Sequence, residues 1–394
     1  MLAIQSGHIV VSRWASPVVR RAPDTETGAA AKMWREIWSA IAGLCPGIPL
    51  GEDQRHEPPA VAVVRTPRAQ PYSFTTVTGP HIVIDQHLLR LTHRWSRIAD
   101  MAAQQDPDLV REFDDLYAER FYLIGEFGFS AFCRSSYRAY AAERERLPPF
   151  PAPAAEADFL SRSGIQHSFI VGHELAHVVV AALPADARDM LLRKLRDTYR
   201  TGQPPEPGGQ EISAPALTRI SETGTLATEC LCDALSLVGL LNQSCALDDA
   251  LDAAQDAVGL LTVLHLVDHN VREHSREARG NRPPGGDPRK TAGEFDDFFT
   301  RRICLVWLAN YAQVVLNRSG MAGRAASISQ RAIASTERVD TVLLALADFM
   351  PGRGLTDDTN LADLALMVMA MQSQASARAY LGFASPVAPA THSP

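Results

Sequence analysis

The stretch SFIVGHELAHVVVAAL, residues Ser168–Leu183, places two histidines and a glutamate inside a run of apolar residues. Ionisable side chains are costly to bury without partners, so His173, Glu174 and His177 require an explanation. The apolar run reads as a helix, and residues four apart on a helix project from the same face. We therefore expect His173 and His177 to lie side by side, with Glu174 rotated away from them.

The H-E-x-x-H pattern of this stretch is typical of zinc sites. Two neutral imidazoles at this spacing can share one tetrahedral Zn²⁺ ion, which keeps an open position for water. Zinc lowers the pKa of such a water to about 7, and Glu174 is close enough to accept its proton as the general base. The alternative is two satisfied core histidines beside a buried glutamate. We favour the zinc site, with one ion per chain.

A third zinc ligand is offered by ATECLCDALSLVGLL, residues Ala227–Leu241. Glu229 and Asp233 are four residues apart, so they share one face of an apolar helix. We expect Glu229 to complete the protein ligands of the zinc ion. Asp233 is expected to accept a hydrogen bond from the far ring nitrogen of a ligand histidine.

A helix with H-E-x-x-H followed by a helix with E-x-x-x-D resembles the gluzincin clan of zinc metallopeptidases. The gap from His177 to Glu229 is 52 residues, which is within the range of such folds. The resemblance implies a zincin-like fold and a zinc-dependent endopeptidase, in which Glu174 acts first as base and then as acid. At the level of the same motifs, the chain is also similar to the Lit-like peptidases of bacterial phage exclusion, which cleave a host protein.

The resemblance extends to PYSFTTVTGPHIVIDQHLL, which looks like the hairpin and edge strand that precede the first active-site helix in compact gluzincins. In those enzymes the edge strand receives the substrate as an added β-strand. The resemblance therefore implies that the strand at His81–Asp85, with Ile82, Val83 and Ile84, holds the peptide.

An enzyme of this kind also needs a donor that stabilises the oxyanion. Two candidates are His265 and His269, on the helix LLTVLHLVDHNVREHS, for which a place on the helix surface is the alternative. A third is Arg282 in the loop NRPPGGDPR, for which the alternative is a solvated arginine in a flexible loop.

The order of the remaining segments predicts an α+β fold with a small N-terminal β-sheet and a predominantly helical body, and the resemblance implies that this fold is zincin-like. Short β-branched segments bounded by Pro and Gly predict strands at Ala60–Thr66, Tyr72–Thr78 and His81–Asp85, a sheet of about residues 60–85.

Helical periodicity, interrupted by segments rich in Pro and Gly, continues from Gln86 almost to the end. The two active-site helices are expected at about 161–183 and 219–241. The predicted organisation is a metallopeptidase domain at 1–245, a helical C-terminal region at 246–383 that packs on it, and a disordered tail at 384–394.

Composition limits the partners. Hydrophobic residues make up 46% of the chain and charged residues 21%, an ordinary globular balance. The net charge is −7 and no long basic block is present, so nucleic acid is not expected as a partner. No signal peptide or long uncharged apolar run is visible, and the few cysteines are scattered, so we expect a cytoplasmic protein without a membrane span.

Functions other than peptide-bond cleavage stay open at this stage. A non-catalytic or regulatory zinc-binding protein could retain a gluzincin site and use the helices beyond Asn242 to bind a regulatory protein partner. Hydrolysis of a non-peptide substrate at the same zinc ion is a third reading, since the motif specifies water activation rather than substrate. The leading prediction is an endopeptidase that acts on a protein or peptide substrate.

Overall fold

The structure is a computed structural model. It describes residues 3–5, 8–10, 20–21, 24–46, 58–64, 71–76, 79–123, 153–202, 216–221, 223–243, 245–278, 288–319 and 322–349. The predicted tail at 384–394, the end of the predicted C-terminal region and Arg282 lie outside these residues.

Two small sheets form in the N-terminal part of the chain. A hairpin joins β1 (Ala3–Gln5) to β2 (His8–Val10). The second sheet has the order β3-β4-β6-β5, in which β4 and β6 are parallel and the other pairs are antiparallel. Its strands are β3 (Arg20–Arg21), β4 (Ala60–Val64), β5 (Tyr72–Thr76) and β6 (Gly79–Asp85).

The rest of the described chain is helical, and the predicted broad α+β class is confirmed. A short helix spans residues 216–221. The longer helices are α1 (Asp24–Leu44), α2 (Gln86–Ala103), α3 (Leu109–Leu123), α4 (Pro153–Ala182), α5 (Ala185–Gly202), α6 (Gly224–Asn242), α7 (Leu247–Ala278), α8 (Pro288–Arg318) and α9 (Ala322–Phe349).

The two predicted active-site helices are present with shifted starts. The first, α4, begins at Pro153 rather than near residue 161. The second begins at Gly224 rather than near residue 219, because Thr223 has an extended backbone with φ −108° and ψ 94° that separates it from the short helix before it. Both helices still carry the predicted ligands well inside their ends.

The predicted edge position of the strand at His81–Asp85 is wrong. β6 pairs with β4 on one side, where Ile82 lies opposite Val61, and with β5 on the other side, where Ile82 lies opposite Ser73. Ile82, Val83 and Ile84 are buried. An interior strand has no free backbone groups with which to bind a peptide. In the described sheet, β5 is the edge strand next to β6.

One hydrophobic core runs through the described helices, with α4 in contact with α1, α2, α6 and α7. The boundary predicted at residue 245 does not divide this core, because Leu240 of α6 and Leu251 of α7 belong to the same cluster of buried residues. Of the helices after residue 245, α7 packs directly against α4, and α8 and α9 pack against α7.

Two helices, α6 and the Leu247–Arg272 part of α7, are long and apolar enough to cross a membrane by length and composition. Their most apolar 18-residue windows are 61% and 89% buried inside the protein, as core helices are. Such helices are weak evidence for a membrane protein, and the expected lack of a membrane span stays a prediction.

Candidate metal centre

Close contact between α4 and α6 builds the site. A side chain at Gly172 would begin 2.4 Å from the Ser236 hydroxyl, which donates a 2.7 Å hydrogen bond to the Phe169 carbonyl. That hydroxyl is held by its bond, so a Cβ at position 172 would push the helices apart. Glycine immediately before His173 thus lets α6 approach α4.

The approach brings the predicted ligands together. His173 Nε2 lies 3.1 Å from one carboxylate oxygen of Glu229, and His177 Nε2 lies 3.2 Å from the other. The two Nε2 atoms are 3.0 Å apart. Among the described residues, these three form the His/Cys/Asp/Glu group whose ligand atoms lie near enough to one another to hold one metal ion.

These separations suit a small metal ion. Tetrahedral zinc has bonds of about 2.0–2.1 Å to nitrogen and oxygen, so its ligand atoms are about 3.3 Å apart. The donor set of two imidazoles and one carboxylate is one that zinc commonly uses. The group can therefore hold a metal ion, as the sequence predicted, and the identity of the ion belongs to the proposal below.

Asp233 lies behind His173. Its Oδ1 atom is 2.8 Å from His173 Nδ1, the ring nitrogen that faces away from Glu229. A carboxylate in this position orients a ligand imidazole and raises its basicity. Burial lowers the pKa of His173, but ion pairing with Asp233 outweighs burial and raises the pKa to about 10. Asp233 thus lies against the far ring nitrogen of His173, and its predicted role as hydrogen-bond acceptor of a ligand histidine stays a prediction.

Arg301 of α8 completes the cluster, and nothing in the sequence pattern pointed to it. Its Nε and Nη2 atoms donate to the two oxygens of Asp233 at 2.8 Å each, and Nη1 lies 3.1 Å from Glu229. The available signal for a buried, paired arginine was its position next to the apolar segment in RRICLVW. Arg301 lies 72 positions after Glu229, and the sequence does not indicate that the two side chains meet.

Arg301 keeps the carboxylates charged. Burial raises the pKa of Asp233, but the Arg301 guanidinium and His173 lower it more strongly, and the net shift is downward. Burial likewise raises the pKa of Glu229, and contacts with His173, His177 and Arg301 bring it well below its usual range. Deprotonated carboxylates are the form that binds a cation.

Glu174 lies beside this cluster and lines the same cleft. It is only 7% exposed, and burial raises the pKa of its carboxyl above the usual value. A carboxyl whose pKa is raised toward neutrality is suited to take up and release a proton. Its position agrees with the sequence-based interpretation of Glu174 as a general base.

The cleft has a volume of about 350 Å³ and opens in front of the histidines. Pro71 and Ser73, at the start of β5, contribute one rim. The remaining lining residues outside the charged cluster are apolar: Phe169, Ile170, Ala257, Leu261 and Phe298. The cleft is thus formed by α4, α6, α7, α8 and β5 together.

The other predicted residues are placed elsewhere. Neither His265 nor His269 lines the cleft, so the structure does not bring them into position as oxyanion donors. The His265 ring packs instead against Phe298, with ring centroids 5.6 Å apart. Arg282 lies outside the described residues, and its predicted role is untested.

No known protein family, curated protein or solved structure matches the chain. What is established is a buried group of two histidines and a glutamate that can hold a metal ion, supported by an aspartate and an arginine.

Proposed function

We propose that the chain is a zinc-dependent endopeptidase of gluzincin type, with a zincin-like arrangement of its site, which hydrolyses peptide bonds of an intracellular protein. One observation carries the proposal: the ligand atoms of His173, His177 and Glu229 converge within 3.0–3.2 Å of one another. Glu174 lies beside them in the same open cleft.

Each side chain of the cluster has a distinct task. His173, His177 and Glu229 would hold the zinc ion, and the bound ion would supply Lewis-acid activation of water and of the substrate carbonyl. Glu174 would take a proton from the attacking water and later give it to the leaving amine, because its carboxyl lines the cleft beside the three ligands without being one of them. Asp233 orients His173, and Arg301 holds Asp233.

The charge of the cluster supports a divalent cation. Glu174, Glu229 and Asp233 are three carboxylates, whereas Arg301 is the one cation among the described residues that line the cleft. Histidines that bind a metal ion are neutral, so in the metal-bound state three ionised carboxylates and Arg301 sum to −2, which a Zn²⁺ ion would bring to zero. Without the ion, a proton on His173, whose pKa is raised to about 10, balances part of this charge.

The edge of the sheet supports a peptide as substrate. β5 ends the strand order of the described sheet, and Pro71 and Ser73 at its start line the cleft. An extended peptide can add to such an edge through backbone hydrogen bonds, which do not depend on its sequence. We assign this role to β5 in place of β6. The motif-level similarity to Lit-like peptidases suggests a protein target inside the cell.

The substitution Glu174→Gln tests the proposal. It removes the proton acceptor and leaves the three zinc ligands in place, so bound zinc should stay at one per chain while cleavage is lost. Metal content is measured by mass spectrometry on the purified protein. Cleavage is measured by comparing protein termini between cells that express the wild-type chain and cells that express the variant.

The exposed Glu337 on α9 provides a matched control, since Glu337→Gln is the same chemical change at a residue that does not line the cleft. It should retain both zinc and the new termini. New termini that persist in Glu174→Gln would contradict the assigned mechanism. Zinc at one per chain, with no new termini even for the wild-type chain, would favour the regulatory zinc-binding protein instead.

A further inference from the structure

Two chemically different sets of residues line the cleft. One set is the metal-binding cluster. The other set, called the apolar wall below, consists of Phe169 and Ile170 of α4, Ala257 and Leu261 of α7, and Phe298 of α8. Apolar walls of this kind bind apolar groups by removing them from water.

A charged substrate group has no partner on the apolar wall. Among the described residues that line the cleft, Arg301 is the one cation, and its guanidinium already contacts Asp233 and Glu229. A carboxylate in the cleft would also approach Glu174 and Glu229, which repel it. Burying an unpaired charge costs much more than burying an apolar side chain.

Phe298 is the lining residue best placed to set the shape of this wall. Its ring packs against the His265 ring, with centroids 5.6 Å apart and planes at 50°. On another side the Arg301 guanidinium carbon lies 5.9 Å from the ring centroid, within the range of a cation–π contact. These contacts hold the ring next to the side chain that braces Asp233 and Glu229.

We propose that Phe298 is the specificity-determining residue of the cleft, that it selects an apolar substrate side chain beside the cleaved bond, and that His265 is the positioning residue that holds its ring. This inference rests on the proposed function, since it assigns a substrate preference to the same site. A cleft of about 350 Å³ is at the small end of the range of about 300–1,000 Å³ for ligand sites, so it accommodates one or two residues.

The test uses probes that bind zinc directly and differ in one side chain. They are the hydroxamates HONH–CO–CH₂–CO–X–NH₂ in which X is leucine or aspartate, two side chains of similar shape. Acetohydroxamate, which has no side chain, reports metal binding alone. Dissociation constants are measured by calorimetry on the full zinc-loaded chain. The leucine probe should bind at least about tenfold more tightly than the aspartate probe, as apolar contacts in such pockets allow.

Phe298→Ala should reduce this ratio to near one and leave acetohydroxamate binding unchanged. Phe299→Ala is the matched control, because Phe299 is adjacent on α8 and packs against the core without lining the cleft. It should retain the wild-type ratio. His265→Ala should lower the ratio, and His265→Phe, which keeps a ring against Phe298, should restore it.

The outcomes separate this inference from the proposed function. Equal binding of the leucine and aspartate probes to the wild-type chain overturns the inference and leaves the zinc site intact. The inference is also overturned if Phe298→Ala lowers the affinity for acetohydroxamate as much as the affinity for the leucine probe. Phe298 would then support the metal site instead of selecting a side chain. A zinc-loaded chain that binds no hydroxamate overturns both.

Discussion

The metal-binding cluster and the polar network between α7 and α9 both contain buried carboxylates, but they balance charge differently. In the network each carboxylate has its own arginine. Asp252 pairs with Arg331 and Asp256 with Arg338. Asp340 pairs with Arg302 of α8 in the same way, at 2.8 Å. The charges of this network therefore cancel without any other ion.

In the metal-binding cluster Asp233 and Glu229 share one arginine, Arg301, and Glu174 lies beside them; the cluster faces a cleft instead of a neighbouring helix. The comparison teaches that burial of charge alone does not indicate a functional site. A charge that lacks a partner of opposite sign and faces open space is a better indication, because a ligand that binds there can supply the opposite charge. The predictions below alter one group and use the other as the reference.

The largest effect is expected for Glu229→Gln. The substitution keeps the shape of the side chain but removes the charge that binds the metal ion. Zinc affinity should fall by more than a factor of about 10–100, which is the typical loss when an outer hydrogen-bond partner of a metal ligand is removed. Competition with a chromophoric chelator measures the affinity. Wild-type affinity in this variant would show that Glu229 is not a ligand.

A smaller effect is expected from a pair of neighbours on α8. Arg301→Lys and Arg302→Lys each keep the positive charge but lose the planar fork that binds a carboxylate. Arg301 braces Asp233 and Glu229, so Arg301→Lys should weaken zinc binding by about 10–100-fold. Arg302→Lys should leave zinc affinity unchanged, because Arg302 contacts Asp340 and the Thr336 carbonyl instead. Equal losses of affinity would remove the distinction between the two groups.

Within the network, Ser335→Ala should affect stability alone. The Ser335 hydroxyl donates to Asp252, which keeps Arg331 as its other partner. Loss of this one hydrogen bond should lower the free energy of unfolding by about 0.5–1.5 kcal/mol, with no change in zinc affinity. Denaturant unfolding measures the difference. Ser319→Ala, at an exposed serine on α8's C-terminal side, should change neither quantity.

The smallest effect concerns a third group, in which Glu112 of α3 contacts Arg94 and Arg97 of α2. Burial raises the pKa of Glu112, but the two arginines lower it more strongly, so the folded value lies below the usual 4.5. Its stabilising effect is therefore complete above about pH 4.5 and is lost as the pH falls through the folded pKa. The stability gap between wild type and Glu112→Gln should be constant near neutrality and shrink in acid. A difference in stability that grows in acid would contradict the lowered pKa of Glu112.

Much of the site was predictable because its parts lie within single helices. The i, i+4 spacing alone places His173 beside His177, and Glu229 beside Asp233. The preference of zinc for such donors then suggests that the two pairs meet. The role of Arg301 was not predicted, because its contacts join α8 to α6. A helical pattern in the sequence does not indicate which neighbouring helix a polar residue will contact.

The sheet shows the opposite case. The three strands of the main sheet between residues 60 and 85 were found from β-branched residues and breakers, but their order was not. A crossover places β6 between β4 and β5, so β6 is an interior strand and β5 is the edge strand beside it. Strand order depends on how connections cross the sheet, which local composition does not encode.

By itself, the sequence determined the helical class of the body and the identity of the candidate metal ligands, since both follow from residue type and periodicity along one element. The tertiary structure alone decided which elements meet. The contact of Gly172 with Ser236, the ion pairs of Arg301, and the apolar wall with Phe298 all arise between elements far apart in the chain. Such contacts depend on how side chains fill space between packed helices, and this is set by the whole core together.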